Sequence, residues 1–253
     1  MKLSGRLGMI AENIPKCRII SDIGTDHAFI PIYAVENGLC ERALAADLRK
    51  GPLEMAEANI GKHGLGSSIE IRLGNGLEPI RPDECDVIVI AGMGGQLIRD
   101  ILRSAPEKSS RASMLLLQAN NAVDALRKWL YENGYDILEE KLVSDAGKLY
   151  CLIKAKWAGI PVIKDEFDYY IGERVFEGND TLLGLYLLKK LKELEVIIEG
   201  RSRSDPEKKR YVCQESVMDT DTCIRIRDRL ADYLEKSDLS DGTNKGFQVS
   251  RNE

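Results

Sequence analysis

The sequence is poor in metal-binding and redox residues. It holds only two histidines, His27 and His63, and no two of its six cysteines form a C-x-x-C pair. A zinc site needs closely spaced thiolate or imidazole ligands, so no metal is expected. Cys85 and Cys151 fall at or inside apolar strand runs, where a free thiol acts as a small hydrophobe. Long apolar runs are missing too: none approaches the roughly 20 residues that cross a bilayer, and no membrane partner is expected. Met1-Lys2-Leu3-Ser4-Gly5-Arg6 leads into no signal-peptide core, so the expected location is cytoplasmic. Positive charge is also short, with 36 Lys and Arg against 41 Asp and Glu, a net of −5. That balance counts against nucleic-acid binding as a default, while a basic patch on one face stays compatible with it.

What is present is the composition of a globular protein, 43% hydrophobic and 30% charged over 253 residues. Apolar spacing predicts helices over 3–14, 27–38, 52–62, 96–103 and 121–133. Strands are predicted between them, over 18–24, 42–47, 68–73, 86–90 and 114–117. The run Asp86-Val87-Ile88-Val89-Ile90 reads as a central strand buried on both faces. Two strands joined by a turn follow, over 135–143 and 148–156. Five β–α repeats closed by a hairpin fit an α/β, Rossmann-like sheet of seven strands, mostly parallel with the last antiparallel. Beyond Trp157, residues 181–199 and 206–236 carry leucines and isoleucines at steps of three and four. These read as an antiparallel, coiled-coil-like helical hairpin. The expected division is a cofactor-binding domain over 1–157, a helical hairpin domain over 165–237 and a flexible tail over 238–253.

Chemistry-bearing residues collect where the predicted strands end. Asp22-Ile23-Gly24 closes the first, and Gly24 lets the backbone turn tightly beside a ligand. Asp26 stands where a dinucleotide fingerprint places its second glycine, and its charge would repel a pyrophosphate. An ammonium- and sulfonium-bearing nucleoside such as S-adenosylmethionine tolerates such acids. Asp22 and Asp26 equally suit capping of the following helix. Asp47 ends the second strand, where one carboxylate can accept from both hydroxyls of a ribose. Asn75 and Gly76 end the third, either as an adenine contact or as a plain Asn-Gly turn. Ala91-Gly92-Met93-Gly94-Gly95 follows the most buried strand and lets the backbone approach a small or flat group. Gln118 and Asn120 end the fifth, toward a substrate or, for Asn120, as a helix cap. His27 is open between cofactor binding and capping. Arg6 is a cofactor-carboxylate partner only if the N-terminal helix folds over the pocket. Arg99 and Arg103 are candidate phosphate contacts or a solvated face.

Taken together, Asp22-Ile23-Gly24-Thr25-Asp26-His27-Ala28-Phe29-Ile30-Pro31, Gly51-Pro52, Arg72-Leu73-Gly74-Asn75-Gly76-Leu77, Ala91-Gly92-Met93-Gly94-Gly95 and Leu117-Gln118-Ala119-Asn120 resemble one bacterial family. It is the tRNA (adenine-N1)-methyltransferases that act at position 22, and the likeness spans about residues 2–156. The resemblance implies a class I S-adenosylmethionine-dependent fold, tRNA as partner and N1 of an adenine as acceptor. It implies that Asp22, Gly24, Asp26 and His27 form the first cofactor motif and that Asp47, where the family more often has Glu, is the ribose acid. Asn75 stands where the family usually has Asp, and Ala119 where it usually has Pro. Asp26 and the carbonyls of 91–92, Gly92 above all, are the candidates for stabilising charge on the methylated base. Two rivals remain: a methyltransferase for a small molecule or protein, and a non-catalytic RNA-binding module.

Overall fold

The computed structural model describes residues 1–84, 86–177, 180–202 and 218–237. Cys85, the approach to the second hairpin helix before 218, and the expected tail over 238–253 lie outside the described residues.

The elements are α1 (Gly5–Glu12), β1 (Cys17–Ile23), α2 (Phe29–Glu36), β2 (Cys40–Asp47), α3 (Lys50–Lys62), β3 (Ile69–Leu73), β4 (Val87–Met93) and α4 (Gly95–Ser104). A one-turn helix α5 (Pro106–Ser109), β5 (Met114–Ala119), α6 (Val123–Glu132), β6 (Tyr135–Asp145) and β7 (Lys148–Trp157) complete the sheet region. The strands form one seven-stranded sheet in the order β3-β2-β1-β4-β5-β7-β6. Pairing from β3 through β5 is parallel, and β7 and β6 are antiparallel, as expected.

Period-two alternation explains how one sheet serves two cores. Ile19, Ile23, Ile88, Ile90, Leu115 and Leu117 face the layer that holds α4, α6 and the C-terminal helices. Ile20, Val87, Val89 and Leu116 face the layer of α1, α2 and α3. Fully burying each such side chain stabilises the fold by roughly 1.5–3 kcal/mol.

Two helices start later than their periodicity predicts. Ala28 (φ 56) and Ala122 (φ 48) take left-handed backbone at the N-cap positions of α2 and α6, without a side-chain cap. Capping by Asp22, Asp26, His27 or Asn120 is therefore not what these residues do. Pro31 fits inside α2 because the first turn has no intrahelical acceptor for its missing N–H.

Past Trp157, the structure adds α7 (Glu166–Ile171), too short to show a period in sequence, with Asp165 accepting from the Asp168 N–H (2.9 Å) as its cap. The long helices are α8 (Leu183–Ser202) and α9 (Thr220–Lys236). Arg201 donates to the Met218 carbonyl (2.7 Å), tying the end of α8 to the approach to α9. Leu187, Leu194, Cys223, Ile226, Leu230 and Leu234 are buried, at the steps of three and four that the sequence shows, and Tyr233 is exposed. These helices share one core with β5, β6 and β7.

Candidate cofactor and acceptor site

The strand order reverses direction between β1 and β4, and the crevice outside the carboxyl ends of strands at such a point is where open α/β sheets bind ligands. Asp22, Asp47 and Met93 reach it from three adjacent strands, which run about 4.8 Å apart.

Asp22 is 8% exposed, and its carboxyl is pushed up to about 6. Burial is the chief cause; the nearby Thr25 hydroxyl tempers the rise and the Asp47 charge adds to it. Thr25 Oγ1 is itself buried and makes no hydrogen bond of normal geometry. A buried acid with so little protein compensation is a ready partner for a ligand cation.

Gly24 (φ 78) turns the chain there, its N–H donating to the Ala46 carbonyl (2.8 Å). A Cβ on Gly24 would lie 2.0 Å from Met93 Cε, so the Met93 side chain lies across the glycine and lines the crevice. Asp47 is 8% exposed, and its Oδ1 accepts the Arg49 N–H (2.8 Å). Among the described residues, Oδ2 accepts no hydrogen bond.

Asp26 lies beside the crevice with its side chain 72% exposed and 3.3 Å from His27 Nε2. His27 stacks on Phe29, with ring centroids 5.1 Å apart. Asn75 is exposed at the outer end of β3, and Gly76 (φ 54) packs over Ile101.

On the acceptor side, the amides expected to face the substrate bind one another. Gln118 is fully buried, and its Oε1 accepts from the Gly92 N–H (3.1 Å) and from Arg6 Nη1 (2.8 Å). Its Nε2 donates to Asn120 Oδ1 (3.2 Å), and Asn120 Nδ2 donates to the Gly92 carbonyl (2.7 Å). This closed ring fixes the bulged end of β4, where Gly92 takes φ 76. Gln118 is thus a positioning residue for the Gly92 loop, which its place at a strand end did not reveal. Arg6 does fold over the pocket: its Nη1 stands 2.7 Å from where a Gly92 Cβ would be. The Arg6 N–H donates to Asp145 Oδ2 (3.0 Å), which pins α1 to the β6–β7 turn. Behind the ring, Gly95 must be glycine, since a Cβ there would lie 2.2 Å from the Ala122 carbonyl oxygen.

A methyltransferase-domain family model matches residues 3–153. The chain belongs to that family. A Bacillus subtilis tRNA (adenine(22)-N(1))-methyltransferase is 41% identical over 156 residues, covering 62% of this chain and 66% of that relative. The crystal structure of the B. subtilis m1A22 tRNA methyltransferase TrmK superposes with a TM-score of 0.73 at 32% identity, covering 95% of this chain and 98% of that one. M. capricolum TrmK, solved with the cofactor product S-adenosyl-homocysteine, gives 0.72 at 28% identity over 94% and 99%. Membership therefore extends from the general methyltransferase domain to the m1A22 methyltransferases, as the motifs of the sequence implied.

The remaining sequence candidates do not join the crevice. Arg99 and Arg103 both pair with Asp100, at 3.0 and 3.1 Å. Arg103 sits in the last turn of α4, about 12 Å along the helix from Gly95. Among the described residues, no group of three or more His, Cys, Asp or Glu is placed to hold a metal. No helix among them is long and apolar enough to cross a membrane.

Proposed function

We propose that this protein transfers the methyl group of S-adenosylmethionine to N1 of adenine 22 in tRNA. The observation that carries the reading is the pairing of two nearly buried acids, Asp22 and Asp47, on adjacent strands at the switch point, in a chain aligned almost end to end with an m1A22 methyltransferase. The residues fit the cofactor: Asp22 meets the ammonium, Asp47 the ribose diol, and Gly24 with Met93 the nucleoside's flank. When bound, S-adenosylmethionine supplies a methyl group on a positively charged sulfur.

The protein's task is then alignment. Adenine N1 carries a free lone pair near neutral pH, so no side chain needs to remove a proton. Orientation alone can supply much of the barrier reduction. The Gly92 carbonyl, held by Asn120, is a fixed dipole suited to the positive charge that grows on the base. Asp26 adds a carboxylate at the rim. A base-paired adenine must leave its stack to reach this point. In this reading, residues 1–157 perform the transfer, the helices beyond 165 hold the tRNA, and the protein works in the cytoplasm, where unmodified tRNA is.

Incubation with unmodified tRNA and methyl-labelled cofactor, followed by mapping of the label, tests the proposal. The expected product is a single methyl on N1 of adenine 22. Label on a protein or metabolite, with none on tRNA, overturns it.

The raised pKa of Asp22 gives a second expectation. Only the ionised carboxylate attracts the cofactor ammonium, so affinity is flat above pH 6. Below about 6 it falls, roughly tenfold per pH unit. Calorimetric titration between pH 5 and 8 reads this directly, and Asp22→Asn is expected to remove the slope while binding weakly throughout. A wild-type affinity unchanged down to pH 5 would reject Asp22 as the ammonium partner.

A further inference from the structure

A cavity of about 500 Å³ lies between the turn after β5 and the face of α8, and its lining includes Asn120, the residue that holds the Gly92 carbonyl. Tyr170 and Tyr186 form its buried floor, with Asp124 on one wall and Lys189 and Lys192 on the other. Along α8 it runs from Tyr186 to Ile197, about 16 Å at the helical rise.

Some of the charges that line it are paired: Lys190 binds Glu193 at 2.9 Å and lies over the Tyr170 ring. Among the described residues, neither Asp124 nor Lys192 makes an ion pair or a side-chain hydrogen bond, although both line the same space. Lys189 reaches Glu193 only at 3.9 Å. Asp124 and Lys192 therefore stay available, and Lys189 is only loosely held, beside a volume suited to a small ligand.

We propose that this groove is a nucleotide subsite that seats the residue next to the methylated adenine in the tRNA strand. The inference rests on the tRNA reading above and adds where the neighbouring nucleotide goes. Lys189 and Lys192 meet its phosphate, and Asp124 accepts from an amino or imino N–H on the edge of its base. Sequence-selective RNA contacts are made to bases splayed out of their stack, and an adenine drawn to Gly92 would lie beside Asn120, which holds the Gly92 carbonyl. Asn120 also lines the groove. Lys189 and Lys192 would give this acidic protein a local pair of positive charges for RNA.

The test is equilibrium binding of unmodified tRNA in the presence of S-adenosylhomocysteine, with methyl transfer read in parallel. Lys192→Glu is expected to weaken tRNA binding at least tenfold and to lower the salt-dependence slope by about one. Lys156→Glu, exposed near the end of β7 opposite the crevice, is expected to stay within twofold of wild type. Removing the base of the nucleotide beside adenine 22 should cost wild type about tenfold and Asp124→Asn clearly less, because the two changes delete one contact. The subsite is overturned if Lys192→Glu binds as wild type, if Lys156→Glu weakens binding equally, or if the abasic and Asp124→Asn losses simply add. A wild type that binds tRNA without methylating adenine 22 instead rejects the proposed function, and the binding comparisons still decide the groove. A wild type that does not bind tRNA rejects both.

Discussion

Arg127→Ala is expected to lower the unfolding free energy by about 3–5 kcal/mol, the usual consequence of leaving one member of a buried ion pair without its partner. Arg127 is fully buried in α6, and its Nε donates to Glu140 Oε1 on β6 at 2.7 Å. Nη1 donates to the Tyr169 and Tyr170 carbonyls of α7 (3.1 and 3.0 Å), and Nη2 to Tyr186 Oη of α8 (3.2 Å). Burial works against its charge, but Glu140, Tyr186 and Cys151 around it outweigh that and hold the guanidinium ionised. One side chain therefore joins the sheet domain to both helices that follow it. Truncation strips partners from a carboxylate, two carbonyls and a hydroxyl, all in a low-dielectric interior. Gly172 (φ 96) backs the node so closely that a side chain there would clash with both Glu140 and Arg127.

In thermal unfolding the loss corresponds to about 6–20 °C for a chain of this size. The double variant Arg127→Met with Glu140→Leu is expected to recover most of the stability, because desolvated charge is then absent rather than unpaired. A loss below about 1 kcal/mol for Arg127→Ala alone would show that the node is not what couples the two regions.

Asp47→Ala is expected to weaken S-adenosylmethionine binding between tenfold and a hundredfold, about 1.4–2.7 kcal/mol. The carboxylate is the only acid at the carboxyl end of β2, and it is oriented before any ligand arrives. Its own Oδ1 accepts the Arg49 N–H, and the Gly74 N–H donates to its carbonyl (3.0 Å). Removing it deletes charge-assisted hydrogen bonds to a diol and leaves the Arg49 N–H without its acceptor. Asp47→Glu is expected to keep the interaction with a smaller loss, since the same group is carried one methylene further. Titration calorimetry on the folded variants measures both. An Asp47→Ala protein that binds as wild type would remove the ribose assignment, while tRNA binding measured separately would stay intact.

Much of the architecture was legible in the residues. Strands of the β1 and β4 kind announce themselves as continuous or alternating apolar runs ending in Asp-x-Gly or Gly-rich turns, and the hairpin of β6 and β7 by its central turn. The acids at the crevice, Asp22 and Asp47, were legible for the same reason: in a parallel sheet the residues that end strands line the crevice where ligands bind. Gln118 was placed at the right strand end, but its hydrogen-bond partners were not legible there. A strand position gives a side chain's face, whereas its hydrogen-bond partners, here Gly92 and Arg6, come from 26 and 112 positions away. Arg99 and Arg103 showed the same limit, for their pairing with Asp100 turns on helix geometry rather than on charge count.

Local chemistry along the chain thus determined the element order, the sheet class and the acids at the crevice, because strand endings and apolar periodicity are short-range properties. Only the tertiary structure decided that Arg127 is a buried tie rather than a solvated charge, that Arg6 covers Gly92, and that Asp124 and Lys192 face one groove without pairing. Each of those depends on partners far apart in sequence, and burial, which sets the strength of every electrostatic contact among them, is a property of the packed molecule alone.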